Sequence, residues 1–410
     1  MLIGAIEMRN RTLFTGAQVF DGAAVSEIDL AVEGDRIVEV GLGLDGDDAV
    51  DCAGMSIVPG LFDCHVHVMA RDLDVARSER EPFSLAYYEA QRNLSLLLDQ
   101  GITSARDAAG ADAGVKQAVE QGLIEGPRLQ IAVTMLSQTG GHSDLHLLSG
   151  GSQSVSMMMP HPGRPRSVRD GADDVRRGVR ETLRAGADVI KVATTGGVMS
   201  PGDDPRHAHF RDEELEVIAA EVEAAGTYFF AHAQGAEGIK SALRHGARSI
   251  EHGYYLDDEA IDLLLRNEAW LVPTLSATQA IVNAGSHGVP IPPASLALAR
   301  EAIDAHRESF ARAVDAGVAI AMGTDSPPYA HPSASNLDEL LLMTQASSMT
   351  PLEAWRAATA SSAALLRQND LGRLAPGMVA DFAILDGHLD DLQALRERIR
   401  CVVLGGRQVR

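Results

Sequence analysis

The sequence predicts an α/β protein: a (β/α)8 TIM barrel with a small β-sandwich domain built from both chain termini. Alternation predicts the barrel, because from residue 61 onward about eight short apolar segments alternate with amphipathic segments of helical periodicity over roughly 300 residues. The helical segments end at glycines such as Gly101, Gly186 and Gly317, as helices commonly do. The two ends of the chain instead carry short β segments separated by turns, which predict the smaller domain.

The sequence pattern at the two ends of the chain predicts the domain boundaries. Residues 1–60 consist of short alternating segments separated by turn signals such as Asp21-Gly22. Residues 368–410 return to the same pattern after the helical region. We therefore expect residues 1–60 and 368–410 to form one composite β-sandwich domain, and residues 61–367 to form the barrel.

The predicted barrel strands are, in chain order, Ile57–Val66, Ile102–Arg106, Arg128–Thr134, Asp188–Ala193, Tyr228–His232, Ser249–His252, Trp270–Leu275 and Val318–Gly323. An open, doubly wound sheet is the alternative, but no Gly-x-Gly-x-x-Gly pattern follows the first strand. Long loops rich in proline and glycine follow the third, fourth and seventh strands. They lie on the side of a barrel where active sites are found.

Composition excludes several classes of function. The formal net charge of −22 argues against binding to nucleic acid or to an anionic membrane surface. The sequence contains no run of 18 apolar residues that would predict a membrane span, and its start lacks the order of a signal peptide. The 3 cysteines do not suggest a disulfide framework. We expect a cytoplasmic protein.

The first predicted barrel strand ends in two histidines, His65 and His67. Side chains two positions apart on a β-strand point to the same face, so both imidazoles can approach one ion. Neutral imidazole is a good ligand for zinc and neighbouring transition metals. The pair alone is a weak signal, and the rest of the chain strengthens it.

Four further polar residues lie at or near the ends of predicted strands: Lys191, His232, His252 and Asp325. Each has a plain structural alternative, since a strand-end histidine is often only hydrogen-bonded and Asp325 could form a turn. Lys191 is harder to explain in this way, because a lysine inside an apolar strand is costly to bury unless it is paired or modified. Together with the two histidines, these residues predict a metal centre at one rim of the barrel.

These residues, in this order, resemble the amidohydrolase superfamily with a binuclear metal centre. The resemblance covers nearly the whole chain and includes Val58–His67 and the tail Gly372–Leu385. Two further segments, Ile190–Pro201 and Thr139–Asp144, resemble the branch of Xaa-Pro dipeptidases and ochratoxinase. In the second segment Ser143 stands where that branch has glycine, which places the position of His142 in question.

The resemblance implies two zinc ions, or other divalent ions, in each subunit. One ion would be held by His65, His67 and Asp325, and the other by His232 and His252. Lys191 would carry a carboxylate derived from carbon dioxide or bicarbonate and would bridge the two ions. This modification is physically reasonable, because an ammonium group beside two dications is repelled whereas a carbamate supplies negative oxygens.

The resemblance also assigns catalytic roles. A hydroxide shared by the metals would attack an amide carbonyl, with Asp325 as proton acceptor and donor and His142 in contact with the oxyanion. Tyr228 shares the inward face of its strand with His232, so it would contact substrate or, alternatively, be an aromatic residue of the barrel interior. Arg106 and Asp107 are expected to form an internal ion pair.

The predicted function is therefore hydrolysis of the amide before a C-terminal amino acid, in a dipeptide such as Xaa-Pro, an N-acyl amino acid or an ochratoxin-like amide. The alternative is a deaminase or cyclic-amidine hydrolase resembling imidazolonepropionase; Lys191 argues against it, since such members generally use one metal and have no lysine there. A scaffold without catalytic activity is a third possibility, opposed by the complete set of ligands. We expect a small-molecule or dipeptide substrate as partner, and a homo-oligomer.

Overall fold

The computed structural model describes residues 10–71, 80–144, 146, 149–151, 159–198, 204–286, 293–326 and 335–410. Within these ranges, parallel strands alternate with helices through the middle of the chain, and mainly antiparallel strands occupy its two ends. No helix in the described ranges is both long enough and apolar enough to cross a bilayer.

Residues 10–60 form short strands, which are β1 (Thr12–Thr15), β2 (Gln18–Phe20), β3 (Val25–Glu27), β4 (Asp29–Glu33), β5 (Arg36–Gly41), β6 (Asp48–Asp51) and β7 (Met55–Pro59). Four of them form one sheet in the order β5-β4-β1-β6. The other three join a sheet that the end of the chain completes.

The central strands are β8 (Leu61–Val66), β9 (Ile102–Asp107), β10 (Arg128–Ile131), β11 (Met135–Leu136), β12 (Ile190–Ala193), β13 (Phe229–Ala233), β14 (Ser249–His252), β15 (Trp270–Val272) and β16 (Ala319–Ile320). They pair in parallel and form two sheets, one in the order β10-β9-β8 and one running from β11 to β16 in sequence order. This is the strand order expected of a barrel, divided between two sheets rather than joined in one closed sheet.

The break between the two sheets has a local cause. The third predicted strand, Arg128–Thr134, ends early in the structure, because β10 covers only Arg128–Ile131 and pairs with β9. The short strand β11 begins after Thr134 and pairs with β12. Val133 lies between them with a φ of 63°, a left-handed conformation that ends an extended strand. On the other side, backbone hydrogen bonds still join β8 to the segment after β16, for example from Asp325 N to His65 O (2.7 Å).

The described helices are α1 (Leu85–Leu98), α2 (Ala113–Glu120), α3 (Ala172–Arg184), α4 (Asp212–Ala224), α5 (Ala236–Arg244), α6 (Asp258–Arg266), α7 (Leu275–Ser286), α8 (Pro293–Asp315), α9 (Asp338–Ala346), α10 (Pro351–Arg356), a π-helical turn (Ala357–Ser361), α11 (Ser362–Leu365) and α12 (Leu395–Arg398). One helix start shows a complete capping box: at α10, the Thr350 hydroxyl accepts from Glu353 N while the Glu353 carboxylate accepts from Thr350 N. Apolar helix faces and the central strands share one large buried core.

The two ends of the chain meet in one sheet. β17 (Phe382–Asp386), β18 (Ile399–Leu404) and β19 (Arg407–Gln408) complete a six-stranded sheet in the order β19-β18-β17-β7-β2-β3. Phe14 of β1 and Phe382 of β17 belong to different sheets, yet their rings pack edge to face with centroids 4.9 Å apart. The two terminal sheets therefore share a buried cluster, while the division into domains 1–60 with 368–410 and 61–367 stays a prediction.

The first predicted barrel strand, Ile57–Val66, is in fact two strands that belong to different sheets. They separate at Gly60, whose N–H donates to Asp381 O (2.8 Å). A Cβ at this position would lie 2.1 Å from Oγ1 of Thr103. The glycine lets the chain pass closely from the terminal sheet into the central one.

Candidate metal centre

His65 and His67 lie where β8 ends, on the same side of the chain. His65 Nε2 is 3.3 Å from Asp325 Oδ1, and His67 Nε2 is 3.1 Å from the same oxygen. The ligand atoms of these three residues all lie within 4.8 Å of one another. The spacing that suggested a shared ion therefore brings both imidazoles to Asp325, as the sequence predicts.

The partners of three imidazoles fix which ring nitrogen carries the proton. Nδ1 of His65 faces the Glu251 carboxylate at 2.7 Å, and Nδ1 of His67 faces Ala109 O at 2.8 Å. Nε2 of His232 faces a third acceptor, Gly196 O, at 2.9 Å. An ionised carboxylate and a carbonyl can only accept, so each of these nitrogens donates and the opposite nitrogen of a neutral ring keeps its lone pair.

The Nε2 atoms of His65 and His67 both lie beside one carboxylate oxygen, Oδ1 of Asp325. Burial lowers the pKa of His67, but the hydrogen bond and charge of Asp325 outweigh it, so the pKa is raised. Burial alone would raise the pKa of Asp325, but His65 and His67 hold it well below its usual range. The site attracts positive charge, and its spacings suit a metal, because ligand atoms around tetrahedral zinc lie about 3.3 Å apart.

A second group of ligands lies beside the first. His232 and His252 follow each other on the neighbouring strands β13 and β14, with ring centroids 4.7 Å apart. The ring of His252 is also 5.0 Å from that of His65. Burial, together with nearby charged groups, lowers the pKa of both His232 and His252 well below the usual value, so both rings stay neutral and able to bind a metal.

Lys191 lies on β12 within this group and is only 1% exposed. Among the described residues, its Nζ has no hydrogen-bond partner, and it lies 4.7 Å from the centre of the Phe230 ring. Burial lowers the pKa of this amine to about 7. Burying an amine without a hydrogen bond costs free energy. A neutral amine can react with carbon dioxide, and Lys191 therefore fits the role of a carboxylated ligand.

The predicted metal ligands and His142 line one cavity of about 80 Å³. The remaining wall is largely apolar and includes Met135, Val198, Tyr254, Ala277 and Ile281, with Gln234 as a polar addition. The sequence did not identify this wall, because helix α7 and the loop after β12 carry no chemical signal of their own. The cavity therefore combines a polar base with apolar sides.

His142 lies against the second group of ligands. Its ring stacks on that of His232, with centroids 4.0 Å apart and planes inclined by 12°. Gly197 packs on the ring so closely that a Cβ there would lie 2.3 Å from His142 Cε1. Ser143, which replaces a glycine of the resembled motif, does not have a positive φ, so the change requires no left-handed backbone.

Two ligands have unusual backbone conformations. His252 has a φ of 74° and Asp325 a φ of 57°, a region in which non-glycine residues are uncommon. Such conformations persist only where the surroundings enforce them, and they concentrate at functional sites. Asp63 provides part of this support, because its buried carboxylate accepts from the backbone N–H of both His65 and Thr324 (3.1 Å each).

Tyr228 lies away from the cavity, at the opposite end of its strand. Its hydroxyl donates to Gln130 Oε1 (2.5 Å), and Arg106 Nη1 approaches the hydroxyl at 3.5 Å. Phe230 lies between Tyr228 and His232 along the same face of β13. Tyr228 does not line the cavity of the proposed ligands, and its position corresponds to the interior aromatic residue of the alternative prediction.

The expected ion pair between Arg106 and Asp107 does not form. Arg106 Nη2 instead donates to Glu251 Oε1 (2.9 Å), while Asp107 accepts from the backbone N–H of Val68 and Ala111 (2.9 and 3.0 Å). Consecutive residues of a strand point to opposite faces, so the two side chains diverge. Sequence reasoning missed Glu251 altogether, although a glutamate within a buried strand was a usable signal.

Comparison with known proteins agrees with this geometry. The sequence model of the amidohydrolase family matches residues 56–409. Ochratoxinase from Aspergillus niger is 36% identical over 356 residues, which cover 83% of this chain and 72% of that enzyme.

Two solved structures are similar along their whole length. A prolidase complexed with N-methylphosphonate-L-proline has a TM-score of 0.87 and 33% identity, covering 97% of this chain and 99% of that one. A Xaa-Pro dipeptidase with methionine in its active site has a TM-score of 0.88 and 27% identity, with the same coverage. These relatives support metal-dependent amide hydrolysis on a TIM-barrel domain. The chain belongs to the amidohydrolase family, in the branch that contains ochratoxinase and the prolidases.

Proposed function

We propose that this chain is a binuclear zinc hydrolase that cleaves the amide before a C-terminal amino acid. Its substrates would be dipeptides such as Xaa-Pro, N-acyl amino acids or ochratoxin-like amides. The observation that carries the proposal is the buried amine of Lys191, which has no hydrogen-bond partner in the described part of the chain and lines the same cavity as the four histidines His65, His67, His232 and His252. The names of the related enzymes support the substrate class, and the apolar cavity walls suit an apolar acyl or amino-acid side chain.

Each set of ligands has a distinct role in this proposal. His65, His67 and Asp325 would hold one ion, and His232 and His252 the other. Carboxylation forms a bond between Lys191 Nζ and the carbon of carbon dioxide, and a proton leaves the nitrogen. The product is an anion, which removes the unfavourable burial of the amine and can bridge two cations.

When bound, the two ions would acidify a water molecule and polarise the substrate carbonyl. The remaining steps belong to the side chains. The carboxylate of Asp325, whose Oδ1 lies 3.3 Å from Nε2 of His65 and 3.1 Å from Nε2 of His67, would accept the proton of the attacking water and pass it to the leaving amine nitrogen. His142, stacked on His232, would donate a hydrogen bond to the oxyanion that forms.

The test is a panel of dipeptides and N-acyl amino acids, assayed by release of amine in the presence of zinc and bicarbonate. Lys191→Ala should abolish turnover, and short-chain carboxylic acids should restore part of it by replacing the bridge. The matched control is Lys240→Ala, which removes a lysine that is paired with Asp257 (2.9 Å) and does not line the cavity. Unchanged turnover in Lys191→Ala would remove the binuclear mechanism.

The same panel, combined with analysis of the zinc content per chain, separates the alternatives. A deaminase or cyclic-amidine hydrolase would release ammonia or open a ring, and would hold about one ion per chain. A scaffold would hold none. Two zinc ions per chain, with amine release from the panel, are the expected result.

We also propose four properties of the whole protein. The two terminal sheets form a composite β-sandwich beside the barrel, which the shared cluster around Phe14 and Phe382 supports. The net charge of −22 supports a protein that works on small molecules and binds neither nucleic acid nor membrane. A cytoplasmic location and a homo-oligomeric state complete the proposal, and size-exclusion chromatography with light scattering tests the second.

A further inference from the structure

Glu251 is a buried carboxylate that is not itself one of the proposed ligands but touches one of them. It lies on β14 with no exposed surface, and its Oε2 accepts from His65 Nδ1 at 2.7 Å. Its Oε1 accepts from Arg106 Nη2 at 2.9 Å and from Ser249 Oγ at 2.6 Å. Both oxygens are therefore engaged, and the carboxylate plane is fixed.

Arg106 anchors this carboxylate to the interior of the barrel. The arginine is fully buried, donates from Nε to Cys64 O at 2.7 Å, and lies 3.8 Å from the centre of the Phe230 ring. Its charge balances that of Glu251, so the pair can stay ionised without contact with water. Arg106 thus holds the Glu251 carboxylate in a fixed position beside Nδ1 of His65.

The other three imidazoles have no such partner. His67 donates to the carbonyl of Ala109 (2.8 Å), and His232 to the carbonyl of Gly196 (2.9 Å). His252 pairs with the hydroxyl of Thr274 (2.7 Å). A carboxylate raises the basicity of a ligating imidazole more than a neutral oxygen does. His65 is therefore the strongest metal ligand among the four imidazoles.

From this asymmetry we infer that Glu251 is a positioning residue that makes the ion held by His65, His67 and Asp325 the more tightly retained of the two. The inference rests on the proposed binuclear centre. Glu251 keeps the proton of His65 on Nδ1, directs Nε2 toward Asp325, and strengthens that nitrogen as a ligand. The two ions should then leave in two separate steps, and Glu251 should govern only the second, tighter one.

The test measures zinc per chain by elemental analysis after dialysis against graded concentrations of chelator, so it needs no activity. The wild-type chain should lose its ions in two steps. Glu251→Gln should weaken the tight step by about 10–100-fold, the usual effect of losing a partner of a metal-ligating histidine, and leave the other step unchanged. The matched control is Thr274→Val, which removes the neutral partner of His252 and should shift the weaker step alone.

Glu251→Gln leaves the buried charge of Arg106 unpaired, which can impair folding. The double variant Arg106→Gln/Glu251→Gln removes both charges and should show the same weakened tight step. Circular dichroism of the metal-free proteins establishes that each variant is folded. A tight step unchanged in the folded double variant, with two steps in the wild type, would overturn this inference alone; a wild-type chain that retains no zinc would overturn the binuclear proposal as well.

Discussion

The ring of His142 lies nearly parallel to the ring of His232, with a centroid separation of 4.0 Å and an inclination of 12°. His232 donates from Nε2 to Gly196 O, so the stack joins a proposed metal ligand, the loop after β12 and the loop that carries His142. The orientation of His142 is thus determined by the metal centre itself and by the closely packed Gly197.

His142→Ala should lower kcat by about 10²–10³, the loss expected when one oxyanion donor is removed. Zinc content should not change, because His142 is not a proposed ligand. Steady-state kinetics with a substrate from the panel measures the effect. His161→Ala, which removes a histidine outside the cavity, is the control; a loss similar to that of the control would exclude contact with the oxyanion.

Gly197→Ala should reproduce the effect of His142→Ala. The added Cβ would lie 2.3 Å from His142 Cε1, so the ring must leave its place on His232. The double variant should lose little more than either single variant, since both changes remove one contact. Gly151→Ala is the control, because its nearest neighbour would be 3.8 Å away. Fully additive losses would show that Gly197 acts independently of His142.

Asp325→Asn should lower kcat by about 10²–10⁴ and leave KM nearly unchanged, because the amide cannot accept the proton of the attacking water. Zinc must be counted in the same sample, since Asp325 is also a proposed ligand. A small loss in a protein that retains its zinc would assign the base to another residue.

Carboxylation of Lys191 in the metal-free protein should depend on pH near neutrality. Burial lowers the pKa of the amine to about 7 from the ordinary 10.5, and only the neutral amine reacts with carbon dioxide. The neutral fraction, and with it the rate of carboxylation, should therefore rise as pH increases through about 7. Carbon-13 NMR with labelled bicarbonate measures the carbamate signal. A rise only near pH 10 would indicate an exposed, ordinary lysine.

Tyr228→Phe should leave KM and kcat unchanged, because Tyr228 does not line the cavity. Loss of its hydrogen bond to Gln130 should lower the free energy of unfolding by about 1 kcal/mol. Urea denaturation and steady-state kinetics measure the two effects. A marked rise in KM with unaltered stability would restore the role of Tyr228 in substrate binding.

That the six proposed ligands lie together at one cavity was predictable, because the direction of side chains on a strand depends on short-range order. The two-residue spacing of His65 and His67 places both rings on one face, and parallel strands bring their carboxyl ends to the same side of a sheet. Lys191 stood out because an apolar strand is an unfavourable place for an amine. These relationships need no knowledge of which strands are neighbours.

The sequence does not predict in the same way how far along the barrel a side chain lies, or which distant side chains form ion pairs. The even spacing of Tyr228 and His232 gives a common face, but four residues of strand span about 13 Å, enough to place Tyr228 at the other end of the barrel. Glu251 and Arg106 are 145 residues apart in sequence. Their pairing depends on how β9 and β14, which belong to different sheets, face each other across the interior, and local periodicity does not encode this.

The left-handed backbone at His252 and Asp325 lowers the stability of the chain at two residues that the proposed activity requires. A glycine at either position would relieve backbone strain of about 1–3 kcal/mol, yet it would remove a proposed metal ligand. Substitutions at these two positions that raise the free energy of unfolding of the ion-free chain are therefore expected to abolish catalytic activity. Selection for stability alone would therefore replace His252 and Asp325 before other residues of the proposed catalytic centre.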